Sequence, residues 1–258
     1  MRRGGRAGSS NSGFASSTFE AIHRSTGQQR LQILQVEEQE ALFVGDAVPS
    51  EASWSSLRYL LVAPVLQDGA RTRDVYLPAG TWVNAWRSIE YRPADGSFHV
   101  RRARVERGER ALTVAAPLEE LPMFIRAGAV LPLLPADVDT LSGYGSAPGL
   151  VHATDREDRR TLLAFPHGRS RSALGPGEWV DSAAGRGRWT LSLHGRRSRT
   201  YELEASLATL AAPFRPCSVT LGGRRLATDA WSWSPSSRRL TARFTTRSGR
   251  LAVRACGR

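Results

Sequence analysis

From residue 59 onward, the chain consists of short apolar runs separated by residues that favour turns. Runs of about 4 to 8 residues are typical of β-strands, whereas a helix needs a longer segment of helical periodicity. The separating turns are Asp68-Gly69, Pro78-Ala79-Gly80, Asp95-Gly96 and Arg107-Gly108. Among them, Asp95-Gly96 is the strongest hairpin signal, because both residues tolerate the positive φ of a type I′ turn. This alternation of short apolar runs and turns predicts an all-β fold, with a hairpin that joins residues 87–91 to 98–105.

Two stretches of this region indicate how its strands are buried. Residues 112–116 alternate between larger apolar side chains and Thr or Ala, as in a strand with one buried face. Residues 123–134 are apolar almost throughout. A continuous apolar run of this kind predicts a strand that is covered on both faces.

A second β-rich region follows residues 137–149, whose Gly, Ser and Pro content predicts a boundary between modules. Residues 189–193 and 201–207 each alternate apolar and polar side chains on either side of Gly195, so we expect them to pair as a hairpin. Later short runs are separated by Gly222-Gly223 and Ser248-Gly249. Several short strands at this spacing predict a β-sandwich. The predicted organisation is two antiparallel β-sandwich-like modules in tandem, at residues 58–136 and 150–258.

Residues 1–57 are predicted to form a separate N-terminal segment. Residues 1–17 are mainly Gly, Ser and Arg and have little to bury, so we expect disorder there. Thr26 and Gln29 have the spacing of a capping box, and apolar residues follow at helical intervals, so residues 25–44 are predicted to form a helix. The basic start precedes no apolar run, so we expect no signal peptide, and the compartment stays open.

The chain has a formal net charge of +12, and all 36 of its basic residues are arginine. A charge of this size is one property of nucleic-acid-binding proteins. Here the arginines are scattered among apolar strand positions and no nucleic-acid-binding motif accompanies them, so a coding bias that replaces Lys by Arg explains the charge better. No apolar run approaches the length of a membrane-spanning helix. We therefore predict neither a nucleic acid nor a membrane as a partner.

No group of residues in the sequence has the spacing of a catalytic, cofactor or metal site. The histidines stand apart from one another and from other metal ligands. Glu119 and Glu120 are adjacent carboxylates, but neighbouring residues of a strand point to opposite faces, which does not suit paired catalysis. The sequence contains no nucleophile elbow and no phosphate-binding loop. It thus predicts no catalytic residue, no cofactor and no metal.

Two pairs of tryptophans could each line one face of a strand. Trp82 and Trp86 share one strand parity, as do Trp231 and Trp233. A protein core needs such a face, and so does an exposed platform that contacts sugar rings. A core position is the better interpretation of Trp82 and Trp86. Trp231 and Trp233 are flanked by Ser and Pro, so contact with a sugar stays open as a hypothesis for this pair.

Three motifs occur in a fixed order: LLVAPV at residues 60–65, YLPAGTW at 76–82 and PLEELPMFIRAGAVLP at 117–132. Together they resemble the segment that follows the catalytic barrel in glycoside hydrolase family 31, the α-glucosidase and α-xylosidase family. The resemblance covers about residues 59–258, and its specific motifs lie within residues 59–135. Residues 1–57 match the family poorly.

This resemblance implies a non-catalytic C-terminal accessory region. Enzymes of the family hydrolyse O-glycosidic bonds with two Asp residues of a (β/α)₈ barrel, and nothing in the 258 residues resembles that barrel. The resemblance also implies that such a barrel is the partner against which these modules pack. The alternative is a freestanding carbohydrate-binding or protein-interaction module.

Cys217 and Cys256 are the two cysteines of the chain, too few for a disulfide framework or a zinc site. Because enzymes of the resembling family are often exported, a disulfide that ties the last strand back is one interpretation. Strand parity argues against this bond, since Cys217 shares a face with Val219 whereas Cys256 opposes Val253. The sequence leaves the bond undecided.

Overall fold

The computed structural model describes residues 41–43, 59–141 and 147–257. These residues are almost entirely β-structure, so the prediction of an all-β fold is confirmed. The first nine strands are β1 (Ala41–Phe43), β2 (Leu60–Val62), β3 (Thr72–Leu77), β4 (Thr81–Asn84), β5 (Ile89–Arg92), β6 (Ser97–Val100), β7 (Val105–Arg107), β8 (Arg110–Ala115) and β9 (Met123–Arg126). The next nine are β10 (Val130–Leu133), β11 (Arg159–Ala164), β12 (Arg169–Gly175), β13 (Glu178–Gly185), β14 (Arg188–Ser206), β15 (Pro216–Leu221), β16 (Arg224–Arg225), β17 (Trp231–Ser234) and β18 (Arg239–Ala255).

Helical elements in these described ranges are short. Helix α1 spans Ala85–Ser88, and 3₁₀ turns occupy Ala153–Arg156 and Leu207–Thr209. None of them is long and apolar enough to span a bilayer, as judged over the residues that the structure describes.

A five-stranded sheet of order β1-β2-β9-β4-β7 forms the middle layer of the first region. On one face, Leu61, Trp82 and Phe124 pack in a cluster with residues of the two-stranded antiparallel sheet of β3 and β8. On the other face, Ile125 belongs to a second cluster that also contains Phe165 from beyond residue 150. Both faces of the sheet are therefore covered, and the second cluster joins the two regions of the chain.

The apolar stretch at residues 123–134 supplies strands to two different sheets. Strand β9 lies inside the five-stranded sheet, and its residues Met123, Phe124 and Ile125 are at most 5% exposed, so the prediction of burial on both faces is confirmed for this strand. After a bend at Gly128 (φ 106°), β10 pairs instead with β11. The division of the chain into residues 1–57, 58–136 and 150–258 stays a prediction.

The second region is built on a nine-stranded sheet of order β10-β11-β14-β18-β15-β16, to which β12, β13 and β17 are attached. Its longest strands, β14 and β18, pair antiparallel along most of their length. Strand β11 pairs parallel with β14. Alternate residues of β14, among them Trp189, Leu191, Tyr201 and Leu203, fill one core.

The predicted hairpin at Gly195 is wrong. Residues 189–193 and 201–206 are parts of the single strand β14, and Leu207 follows it directly, so the two segments do not pair with each other. A Cβ atom at Gly195 would lie 2.4 Å from the carbonyl oxygen of Arg247, so this glycine permits a close approach of two strands and does not reverse the chain. Ser248-Gly249 likewise lies within β18.

Asp68-Gly69, Pro78-Ala79-Gly80 and Gly108 lie between consecutive strands, as predicted, and two further predicted turns are also present. Gly222 and Gly223 both have positive φ and join β15 to β16 as a two-residue turn. The hairpin at Asp95-Gly96 is confirmed as β5–β6, but its turn is not type I′. Residues 93–96 form the connection, and only Gly96 among them has positive φ.

The helix predicted over residues 25–44 is wrong where the structure describes it. Ala41–Phe43 form β1, which pairs parallel with β2. The remaining residues of that predicted helix, including Thr26 and Gln29, lie outside the described ranges, as does the predicted disorder of residues 1–17.

Trp82 and Trp86 do not share a strand face. Trp82 is 1% exposed and donates its indole N–H to the carbonyl oxygen of Pro78 (2.8 Å), in agreement with a core position. Trp86 is half-buried in α1, where the parity of a strand does not apply.

Candidate functional site

A cleft of about 330 Å³ lies where the β5–β6 hairpin meets the nine-stranded sheet. Trp231 is half-buried and forms part of its wall. Three carboxylates also line the cleft, those of Glu202, Glu204 and Asp229. An aromatic face beside several hydrogen-bond acceptors is the kind of lining found in pockets for polar small molecules.

Trp233 lies two residues beyond Trp231 on β17 and pairs with Leu240 of β18. Both tryptophans pack against the core of the second region. Trp231 also lines the cleft, whereas Trp233 is outside the cleft wall. Contact of either side chain with a sugar stays a prediction.

A hydrogen-bonded network crosses the cleft between the two regions. The Oγ atom of Ser97 lies 2.9 Å from Nε2 of His99, and Nδ1 of His99 lies 2.6 Å from Oε1 of Glu204. The second oxygen of Glu204 accepts from the backbone N–H of Val100 at 2.8 Å. Sequence reasoning treated His99 as isolated and missed this network, because Glu204 is 105 residues away and no local spacing relates the two.

This network has the order of a nucleophile, a base and an acid, but its surroundings do not suit nucleophilic catalysis. The Ser97 hydroxyl donates to Oδ1 of Asp95 at 2.5 Å, and the backbone N–H of Ser97 donates to the same atom at 3.0 Å. The N–H of Gly96 donates to the carbonyl oxygen of Arg92 at 2.9 Å. These neighbouring N–H groups are therefore already bonded and do not form an oxyanion hole beside the hydroxyl. The network links β6 to β14.

A groove with both polar and apolar lining residues lies on the first region, beside the end of β2 and the approach to β9. Three exposed leucines line it, which we call the leucine patch: Leu66 (56% exposed), Leu118 (86%) and Leu121 (41%). Trp86 of α1 lines the same groove. Exposed apolar residues that are grouped in this way typically mark an interaction surface.

Within the described ranges, no cluster of three or more His, Cys, Asp or Glu residues could hold a metal ion. Glu119 and Glu120, the adjacent carboxylates of the sequence, both lie on the wall of the groove that contains the leucine patch. Glu120 forms an ion pair with Arg87 (2.7 Å).

Cys217 and Cys256 form a disulfide, with Cα atoms 4.8 Å apart. The register between β15 and β18 shifts between Pro216 and Ser218, so Cys217 lies in a bulge. A bulge changes which face the following side chains occupy. Cys217 is therefore exposed although Val219 is buried, and strand parity does not decide the bond.

Comparison with known proteins relates one part of the chain to a family of enzymes. Residues 51–131 match the model of the glycosyl hydrolase family 31 C-terminal domain. An isomaltosyltransferase from Sporosarcina globispora is 31% identical over 74 residues, which are 29% of this chain and 5% of that protein. An α-xylosidase from Saccharolobus solfataricus is 30% identical over 87 residues, which are 33% of this chain and 10% of that protein.

The fold of a larger part of the chain is also found in a solved structure. The cycloalternan-forming enzyme from Listeria monocytogenes, determined in complex with a pentasaccharide substrate, superimposes with a TM-score of 0.55. The match covers 76% of this chain and 18% of that enzyme at 20% sequence identity, so it shows the fold alone. This chain thus spans a small part of the length of the proteins that it matches. Residues 51–131, which contain the leucine patch and all but the last residue of the three sequence motifs, match the C-terminal domain of glycosyl hydrolase family 31.

Proposed function

We propose that this chain is a non-catalytic accessory region of a family 31 glycoside hydrolase, and that its leucine patch packs against the catalytic barrel of that enzyme. The observation that carries the proposal is the position of the patch. Leu66, Leu118 and Leu121 are exposed within the segment that matches the family's C-terminal domain. The matched relatives are much longer than this chain, which agrees with a catalytic part outside the matched segment.

Burial energetics support a docking role for these leucines. The neighbouring residues Leu60, Leu61 and Val62 are at most 6% exposed because they form β2 in the middle sheet, so exposure begins only where the chain leaves the sheet. Each 100 Å² of apolar surface left in water forgoes about 2.5 kcal/mol of stabilisation. A partner surface that covers the leucine patch would recover this free energy.

The test combines an activity assay with variants of the patch. The purified chain should hydrolyse neither chromogenic α-glucosides nor α-xylosides. Turnover that is lost when one carboxylate of this chain is changed to its amide would contradict the non-catalytic role.

Without the barrel the leucine patch is uncovered, so the unaltered chain should self-associate with rising concentration in sedimentation velocity. The triple variant L66S/L118S/L121S should abolish this self-association. Because surface substitutions usually change stability by no more than about 0.5 kcal/mol each, the variant should keep its unfolding temperature. The control is Leu141→Ser, an equally exposed leucine (58%) outside the patch, which should leave self-association unchanged. A triple variant that unfolds like a core variant would show that these leucines stabilise the fold and are not a docking surface.

The cleft supports a second candidate function, the binding of a neutral carbohydrate. Trp231 offers an aromatic face for the apolar side of a sugar ring, and Glu202 and Asp229 are exposed carboxylates that can accept from its hydroxyls. Isothermal titration with isomaltose and maltose tests this function. Trp231→Ala should abolish binding, whereas Trp179→Ala, a half-buried tryptophan of β13 outside the cleft, should not. Equal losses in both variants, or no binding by the unaltered chain, would contradict it.

A further inference from the structure

An arginine-lined pocket of about 660 Å³ lies in the second region, apart from the leucine patch and next to the cleft, with which it shares Leu133 and Leu134. Its wall is formed by the first 3₁₀ turn, the start of β11, the turn between β12 and β13, and the middle of β14. The wall carries six guanidinium groups, those of Arg156, Arg159, Arg160, Arg196, Arg197 and Arg199. Two carboxylates, Glu157 and Glu178, lie among them.

The centre of this pocket is a buried carboxylate shared by two buried guanidinium groups. Nη1 of Arg199 donates to Oε1 of Glu178 at 2.7 Å, and Nη1 of Arg160 lies 3.4 Å from Oε2. The three side chains are only 7%, 14% and 5% exposed for Arg199, Arg160 and Glu178. Burial is the main cause that lowers the pKa of Arg160 below its ordinary value, and the positive charge of Arg199 is the second. One carboxylate against two guanidinium groups leaves an excess positive charge in a poorly hydrated place.

A bulge in β14 adds two further arginines to the pocket. His194 is opposite Ser248 and Arg199 is opposite Thr246, so residues 195–198 face the single residue Arg247. The backbone N–H of Arg196 donates to Oε1 of Glu178 at 2.7 Å, which fixes the bulge on the central carboxylate. Bulges frequently re-aim side chains next to functional sites. Here the bulge places Arg196 and Arg197, both exposed, on the pocket wall.

The ion pairs of the pocket do not balance its charge. Arg197 pairs with Glu157, and Asp137 beside the pocket accepts from both Arg156 (2.6 Å) and Arg159 (3.1 Å). Six guanidinium groups therefore face three carboxylates, and three positive charges remain unbalanced.

We propose that this pocket binds a small ligand that carries a compact oxyanion, which is a phosphate, sulfate or carboxylate group. Guanidinium groups match the geometry of such oxygens because they donate two parallel hydrogen bonds. The volume of about 660 Å³ is larger than a free ion requires and lies within the usual range of small-molecule pockets. The ligand is therefore an organic anion, such as an acidic or phosphorylated sugar, and the oxyanion is held by the arginines around Glu178.

The test is isothermal titration of the full chain with three probes, inorganic phosphate, glucose 6-phosphate and glucuronate, at constant ionic strength. The variant R196Q/R197Q removes two exposed guanidinium groups of the pocket. The control R224Q/R225Q removes two adjacent, exposed arginines of β16 outside the pocket and causes the same loss of net charge. R196Q/R197Q should weaken at least one probe by about tenfold or more, since the lost hydrogen bonds are charge-assisted. The control should change the same affinity by less than about twofold.

The three probes distinguish the sources of the oxyanion. Tighter binding of glucose 6-phosphate or of glucuronate than of inorganic phosphate supports an organic ligand and identifies its acidic group. Equal weakening in both double variants would show that the net charge of the chain, and not the pocket, attracts the probe. That result, or no binding of any probe at about 10 mM, would overturn the proposal. The single variant Arg196→Gln keeps the backbone contact with Glu178 and should also weaken the binding of that probe. It replaces the double variant in this test if the double variant does not fold.

Discussion

At the scale of single residues, the carboxylate of Glu178 contacts three arginines of the second region, and no local sequence signal predicted these contacts. Its carboxylate accepts from the side chain of Arg199 and from the backbone of Arg196, and it lies beside the guanidinium of Arg160. Burial alone would raise the pKa of Glu178, but these hydrogen bonds and positive charges outweigh it and hold the pKa below its ordinary value of 4.5. The residue is therefore ionised at neutral pH and stabilises the bulge of β14.

Glu178→Gln should lower the free energy of unfolding by about 3 to 5 kcal/mol at pH 7, because it leaves two buried guanidinium groups without a counter-charge. A folded-state pKa below the unfolded value means that this stabilisation is complete above about pH 4.5 and is lost as the pH falls through the folded-state pKa. Urea unfolding between pH 3 and pH 7 measures the difference between the two proteins, which should shrink in acid.

Glu119→Gln is the control for this prediction, because it removes an equal charge from an exposed position. Its unfolding free energy should follow that of the unaltered chain at every pH. A constant difference between Glu178→Gln and the unaltered chain across the pH range would contradict the role of the ionised carboxylate.

At the scale of elements, β14 and β18 hold the second region together. Each is one strand that the sequence pattern divides into two, because Gly195 and Ser248-Gly249 have the composition of turns. The pair runs antiparallel from Arg188 opposite Arg254 to Ser206 opposite Arg239. The disulfide fastens the end of this unit, since Cys256 follows β18 and Cys217 lies in the neighbouring strand β15.

The disulfide should contribute about 4 kcal/mol to stability, as expected for a closed loop with a sequence separation of 39 residues. The double variant C217S/C256S should therefore unfold about 10 °C lower in differential scanning calorimetry. A reducing agent should lower the unfolding temperature of the unaltered chain to that of the variant and leave the variant unchanged. Two free thiols in the untreated protein by mass spectrometry, with no effect of the reducing agent, would contradict this prediction.

At the scale of the whole molecule, the two regions share a hydrophobic cluster. This cluster contains Ile125 and Met123 from the five-stranded sheet together with Leu163 and Phe165 from β11 and the residue after it. The hydrogen bond between His99 and Glu204 crosses the same boundary. Because the two regions share these buried contacts, we expect their stabilities to be coupled.

The chain should accordingly unfold in one cooperative transition, with equal calorimetric and van't Hoff enthalpies. Phe165→Ala, which creates a cavity in the shared cluster, should cost about 3 to 5 kcal/mol and shift the whole transition. Phe244→Ala in the core of the second region is the comparison, and it should shift the same single transition. Two separate transitions, of which Phe165→Ala moves only one, would show that the regions unfold independently.

The sequence by itself determined the β class, the turns at Gly222-Gly223 and the burial of β9, because each depends on local periodicity and on the φ preferences of glycine. The three motifs also placed the family resemblance at the segment that the comparison with known proteins matches. Local pattern was therefore sufficient wherever the determining contacts lie close along the chain.

Only the tertiary structure decided how the strands join and what meets around the cleft and the pocket. The direction of the chain at Gly195 depends on the approach of Arg247, and the partner of His99 is Glu204, 105 residues away. The face of Cys217 depends on a bulge in its pairing with β18. Each of these features is set by contacts between distant segments, and the spacing of residues along one segment carries no information about which distant segment packs against it.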